Sequence, residues 1–580
     1  MAEENGQNDH GIKSFSVGLG DGSAPKKPMA PPPAYRILIA GDFGTLKKDV
    51  HEVSGMDISE ILLLLAPKIE VIAENTLGSF PTRLAETFAL ERPRDLRPRT
   101  LFEKMAFVSD AREAFSAAQI EGNSRFDRLR TIAEAADNQH HKRSSTDRDP
   151  RQAGVSPASD KTDDGLDGLF SMVDTGRSAP SADQSQDLAK QAVGAFVSES
   201  LGKGAKQRSD KETGRPQTTD LEDALTLQAS VFLKDDRFGQ VFENWLALRL
   251  LLANLPRDSE VRLFLCQVSR TASADELKAA LVEAERGLSS SAFDVILAAN
   301  RQSIVAPDVA NLKTIASLAQ EHASCVLATL LPSFAGVSET ELARMDAPHQ
   351  ILDGDAFAAF KSLRSSAASA SVALFWNDGC VVPGEDGMPA FFAPAAWLAL
   401  IAILRAEAED QWPRLPTGVR YDFDRLELCE HVQGATEVAS VCRTVPSPDA
   451  SDGLSRVGIT CVEGQANRIS VFFRGAPILK EVAADAAEGR GSLDRALALA
   501  RLNTLLQIGF RTAAPRSDDP DGSARDLGSY FAGVSDGLGG RVQFEVSSAT
   551  DEDGDAVLDI DATVRSSHGT PYAVGFRIQI

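Results

Sequence analysis

"YRILIAGDFG" (Tyr35–Gly44) decides how this chain is read. An apolar run rich in isoleucine follows three prolines and stops at Gly-Asp-Phe-Gly. Such a run predicts a strand that ends in a turn. Gly41 closes the strand, Asp42 caps the turn and Phe43 anchors the loop to a core. Asp-Phe-Gly is also the metal-binding tripeptide of protein kinases. A kinase needs a glycine-rich loop, a strand lysine and a catalytic loop ahead of it. None of those elements occurs in the residues before Asp42. The tripeptide is read as coincidence and Asp42 as a structural residue.

Working outward, residues 34–136 carry a compact α/β pattern. "YRILIAGDFG" is a strand, "DISEILLLLAP" (Asp57–Pro67) a helix, "KIEVIAENTL" (Lys68–Leu77) a strand, and "FDRLRTIAEAA" (Phe126–Ala136) a later helix. Before it, residues 1–33 hold an alternating stretch, "KSFSVGLG" (Lys13–Gly20). The proline-containing spacer "DGSAPKKPMAPPP" cuts that stretch off from the next strand. After it, residues 137–219 are rich in Ser, Asp, Lys, Gly and Pro and read as a disordered linker. Two apolar islands inside the linker, "DDGLDGLFSMVDTG" and "SQDLAKQAVGAFVSESLG", read as short amphipathic helices.

Residues 220–580 read as a second, larger body. "DLEDALTLQASVFLKDDRFGQVFENWLALRLLLANLP" is helical. "EVRLFLCQVS", "AFDVILAA" and "SCVLATLLP" are strands separated by helices, which predicts a largely parallel sheet covered on both faces. "AFFAPAAWLALIAILRAEAEDQWP" is a buried helix. "RVQFEVSSA", "AVLDIDATVRS" and "YAVGFRIQI" alternate and predict an antiparallel ending. The expected fold class is α/β: two α/β bodies, terminal strands and a long linker.

Composition narrows the function. The chain has 580 residues and a net charge of -23, so phosphate-rich partners are disfavoured and no nucleic acid is expected. The six cysteines (Cys266, Cys325, Cys380, Cys429, Cys442, Cys461) show no C-x-x-C spacing, which supports neither a zinc site nor a redox dithiol. The sparse cysteines fit a reducing compartment. No signal peptide is read at the N-terminus, and the apolar stretches are too short or too interrupted for membrane insertion. A soluble, cytoplasmic protein is expected.

No chemistry-bearing constellation emerges. There is no P-loop, nucleophile elbow or H-E-x-x-H. His140-His141 fall in the linker. "ATDEDGDAVLD" (Ala549–Asp559) lacks the glycine and terminal glutamate of a calcium loop and reads as an acidic hairpin turn. Asp235-Asp236 read as the start of a helix. Catalytic, cofactor-binding and metal residues are all expected to be none, and the protein is not expected to be an enzyme.

Taken in order, these pieces resemble the two sheath subunits of bacterial type VI secretion systems. "KSFSVGLGDGSAPKKP", "YRILIAGDFG", "VIAENTL" and "LFEKMAFVSDAREAF" are similar to the small subunit. "DDRFGQVFENWLALRLLLANL", with Phe238 and Trp245 seven residues apart, resembles the entry helix of the large subunit. "EVRLFLCQVSRTASADELKAAL", "FFAPAAWLALIAILRAEAEDQWP", "ITCVEGQANRISVFF" and "ARLNTLLQIGFRTA" resemble its later segments. Two departures stand out. The subunits are joined in one chain, and "RDLGSYFAGVSDGLGGR" replaces the family's tryptophan-bearing helix near the C-terminus.

The resemblance implies a bacterial, cytoplasmic structural subunit. It would form a helical homopolymer around an inner tube protein, meet baseplate proteins and contract, and a hexameric AAA+ ATPase would recycle it. It also implies strand exchange between copies, through Ser14, Phe15, Ser16 and Val17 near the N-terminus and Tyr572, Val574, Phe576 and Ile578 at the C-terminus. The alternative it leaves open is a non-contracting, baseplate-like or accessory binding protein built on the same fold.

Overall fold

The computed structural model describes residues 33–77, 82–121, 218–257, 260–287, 293–305, 308–433, 436–481, 491–551, 554–565 and 571–580. Strands Lys13–Gly20 with Ser14, Phe15, Ser16 and Val17, the helix expected over Phe126–Ala136, and both linker islands lie outside them. Two compact units divide the described chain, residues 33–512 and residues 513–580.

The first unit holds β1 (Tyr35–Gly41), β2 (His51–Glu52), β3 (Lys68–Glu74), β4 (Arg83–Ala89), β5 (Val261–Gln267), β6 (Val295–Gln302), β7 (Cys325–Leu330) and β8 (Val372–Trp376). It continues with β9 (Gly379–Val382), β10 (Phe391–Ala393), β11 (Arg420–Tyr421), β12 (Cys429–Gln433), β13 (Thr436–Ser440), β14 (Ile459–Gly464) and β15 (Val471–Phe473). Nine of them form one sheet in the order β11-β15-β14-β8-β7-β6-β1-β5-β2. Its centre is parallel, as the alternation of strands and helices predicts: β1 pairs with β5 and β6, β6 with β7, β7 with β8, and β8 with β14. The edge strands β2, β15 and β11 run antiparallel to their neighbours.

Side chains alternate between two cores. Ile37, Ile39, Leu265 and Leu297 face a core built with the helices Asp236–Asn254 and Ala395–Asp410. Leu38, Ala40, Phe264 and Ile296 face the core built with Val309–Glu321. Both faces are covered, the arrangement that lets parallel strands be apolar throughout.

The α/β class holds, but the division into bodies 34–136 and 220–580 does not. β1 sits between β5 and β6, with Tyr35 opposite Val261 and Ile37 opposite Val295. The physical reason lies in β1 itself. All seven of its residues are buried, so it needs a neighbour on each edge and cover on each face. The rest of residues 34–121 cannot supply them, because β3 and β4 pair only with each other, and β3 alternates strictly between buried and exposed. The boundary falls instead at residues 512 and 513.

The helices expected over Asp57–Pro67 and from Asp235-Asp236 form. Asp57 caps the helix Ile58–Leu65 in a reciprocal capping box with Glu60. Asp235 caps Asp236–Asn254, accepting from the amides of Arg237 and Phe238 at 3.0 Å each. One feature had no signal in cysteine spacing: Cys380 and Cys429, 49 residues apart, are bridged, while Cys266, Cys325, Cys442 and Cys461 are buried free thiols. No described helix is long and apolar enough to cross a membrane.

The second unit is the helix Pro520–Gly537 packed on an antiparallel sheet of β16 (Val542–Thr550), β17 (Ala556–Val564) and β18 (Tyr572–Gln579), in that order. The predicted acidic hairpin joins β16 to β17, with Thr550 opposite Ala556.

Candidate assembly surface

The Gly-Asp-Phe turn is a joint, built from residues far apart in sequence. Gly41 has no room for a side chain, since a Cβ there would lie 2.6 Å from Ala299 Cβ. Asp42 Oδ1 accepts from Gly44 N at 3.0 Å and from Gln267 Nε2 at 2.9 Å. The Asp42 amide donates to Asn300 Oδ1 at 2.8 Å, and the Phe43 amide to Gln267 Oε1 at 2.8 Å. Gln267 ends β5 and Asn300 lies on β6. Asp42 therefore ties three parallel strands at their carboxyl ends and acts as a structural cap.

Deeper in the same unit, Arg301 is enclosed by two carboxylates: Glu243 Oε2 at 2.6 Å and Asp378 Oδ2 at 2.7 Å. Their other oxygens accept from backbone amides, Glu243 from Phe392 and Asp378 from Ala395 at the start of the Ala395–Asp410 helix. Arg443 adds a second guanidinium, 4.0 Å from the centre of the Phe392 ring. Glu339 is the third carboxyl of the group, and burial raises its pKa. This network clamps the Asp236–Asn254 helix, β6, β9 and β10 together.

A cavity of about 440 Å³ opens where β1, β5 and β6 end, the position at which open α/β sheets commonly bind ligands. Several of its polar side chains bond to its own walls. Asn300 Nδ2 donates to Val268 O at 3.0 Å and Gln302 Nε2 to Asn300 O at 2.6 Å. Ser269 and Thr271 hydroxyls bond each other at 3.2 Å. These groups brace loops and present no nucleophile paired with a base.

The second unit carries the C-terminal residues from which strand exchange is expected. Tyr572, Val574, Phe576 and Ile578 share one face of β18 and stand opposite Val564, Ala562, Ile560 and Leu558 of β17. On β17 those four residues are fully buried. On β18 the same face is only half-buried. The reason is the placement of the Pro520–Gly537 helix, which packs chiefly on β16, with Phe531 stacked on Phe544 at 4.4 Å between ring centres. β18 thus has an apolar stripe that its own helix leaves half-covered. Its outer edge carries no strand among the described residues. The β18 residues named from sequence come together on one face, and their companions near the N-terminus lie outside the described residues. The half-covered stripe had a signal in the strict alternation of "YAVGFRIQI". The missing cover did not, because it depends on where a helix lands.

No protein-family model and no curated protein matches the chain. Solved structures similar to it include a chain of the anti-feeding prophage baseplate, at 12% identity and a TM-score of 0.36, covering 57% of this chain and 78% of the other. A sheath tail protein of Listeria innocua is similar at 12% identity and a TM-score of 0.32, covering 56% and 68%. One from Desulfitobacterium hafniense has 12% identity and a TM-score of 0.30, with the same coverage. Likeness at these scores assigns no family.

Proposed function

We propose that this chain is a structural subunit of a contractile sheath of the type VI kind, with small-subunit and large-subunit segments joined in one polypeptide. The observation that carries the reading is β18: an open strand edge beside a half-covered stripe of Tyr572, Val574, Phe576 and Ile578. Such a border is an aggregation hazard unless something pairs with it. A second copy supplies the pairing by strand addition, with Ser14, Phe15, Ser16 and Val17 as the lent strand. Head-to-tail contacts that do not close then build a helical homopolymer. An inner tube protein, baseplate proteins and a recycling AAA+ ATPase are its expected partners, with no nucleic acid and no membrane insertion. The work is mechanical, a transition between two packings summed over many copies, and the protein acts as no enzyme.

The interleaving of β1 between β5 and β6 supports a joined chain. Two separate subunits would have to find each other to complete that sheet, whereas a covalent link between them raises their effective concentration to roughly millimolar.

The test is electron microscopy of the purified chain beside a Phe576→Lys, Ile578→Lys variant. Long tubes from the parent and none from the variant support the reading. Tubes from the variant reject the β18 border. Discrete rings or monomers from the parent favour the non-contracting, baseplate-like alternative.

A further inference from the structure

Two charged surfaces in this molecule are each unfavourable alone and complementary to one another. The first is basic, in a chain of net charge -23. Arg92, Arg94 and Arg97 are exposed around the short turn Pro93–Leu96, which packs on the Asp236–Asn254 helix. Arg249 lies on that helix. Arg425 follows Asp424, which is fastened to Asn254 of the same helix by two hydrogen bonds, at 2.9 and 3.0 Å. No carboxylate forms an ion pair with Arg97, Arg249 or Arg425 among the described residues. Arg249 Nε is buried without a hydrogen-bond partner. Burial, with the charges of Arg425 and Arg97 added, lowers the Arg249 pKa to about 10.

The second surface is acidic and belongs to the outer face of the β16-β17-β18 sheet. Glu545 stands directly opposite Asp561 across the antiparallel pair, and both are exposed. Like charges in that position repel. The arginine of this face, Arg577, is engaged with Asp559 at 2.7 Å. Opposite Asp561 on the other side is Gly575, which offers no side chain.

We infer that the Arg97–Arg249–Arg425 patch of one copy docks on the Glu545–Asp561 carboxylate pair of a second copy. Copies of so acidic a chain repel one another at long range, and these three arginines, without an ion pair of their own among the described residues, offset that repulsion locally. Guanidinium groups suit paired carboxylates through bidentate hydrogen bonds. The contact joins two different surfaces of the chain, so it can repeat head to tail from one copy to the next. It rests on the assembly reading above and names a second contact beside the β18 border.

The test uses two full-length double variants, Arg97→Glu with Arg425→Glu, and Glu545→Lys with Asp561→Lys. Sedimentation is followed at low and high salt. Each variant alone should raise the concentration needed for assembly by about tenfold or more. An equimolar mixture should restore assembly, because each variant then offers the other an opposite charge. The milder Arg97→Gln, Arg425→Gln variant, which keeps the fold if charge reversal does not, should flatten the salt dependence. Assembly of either reversed variant at the parent's concentration overturns the inference and leaves the assembly reading intact. So does a mixture that stays dispersed, since opposite charges at the two surfaces would then fail to bring copies together. A parent that never assembles at any salt overturns both.

Discussion

Trp245 donates its indole N–H to the Phe43 carbonyl at 2.9 Å, and the two rings meet edge to face with centres 5.7 Å apart. The residues are separated by 202 positions, and each belongs to a motif that reads as self-contained in sequence. Trp245→Phe should leave the Phe43 carbonyl without that donor and destabilise residues 33–512 by about 1–3 kcal/mol. All four tryptophans lie in this unit, so the fluorescence of the remaining three in a urea titration reports on it alone.

Gly41 and Ala299 form a tight backbone approach. Gly41→Ala should destabilise the same unit by about 1–3 kcal/mol, because the added methyl would fall 2.6 Å from Ala299 Cβ. Ala299→Gly in the same chain should recover part of that loss. A double-mutant cycle with no coupling between the two positions would contradict the packing described.

Asp378 serves Arg301, Arg443 and the Ala395 amide at once. Asp378→Ala should cost about 3–5 kcal/mol, because it leaves buried Arg301 with Glu243 as its one carboxylate and removes a helix cap. Urea midpoints check this. An unchanged midpoint would mean the network contributes nothing to the unit's stability.

Glu86 on β4 gives a pH signature. Burial raises its pKa to about 7, against the amides of Ala106 and Thr87, which favour the charged form. The folded state therefore holds this proton more tightly than the unfolded chain. Its contribution to stability is fullest below the unfolded pKa of about 4.5 and declines as pH rises to about 7. Glu86→Gln should stabilise the unit by roughly 2 kcal/mol at pH 8 and by nothing measurable near pH 4. Equal effects at both pH values would show that Glu86 titrates as in water.

Much of the local structure was legible. The helix after Asp57, the helix start at Asp235, the parallel strand-helix alternation, the buried Ala395–Asp410 helix and the final antiparallel strands all follow from signals spanning a few residues. The shared face of Tyr572, Val574, Phe576 and Ile578 was legible too, as a period of two. The Cys380–Cys429 bridge, the Arg301 network and the basic patch were not. Each gathers residues from segments whose separation along the chain says nothing about their distance in space.

"YRILIAG" by itself determined that Tyr35–Gly41 would be a buried strand, because apolar side chains on both faces cannot rest against water. Which strands would flank it was decided only by the tertiary structure. A strand's edges carry the same backbone donors and acceptors whatever its sequence, so its neighbours are chosen by the packing of distant helices and strands around it. That choice placed Val261 and Val295 beside it and merged two apparent bodies into one sheet.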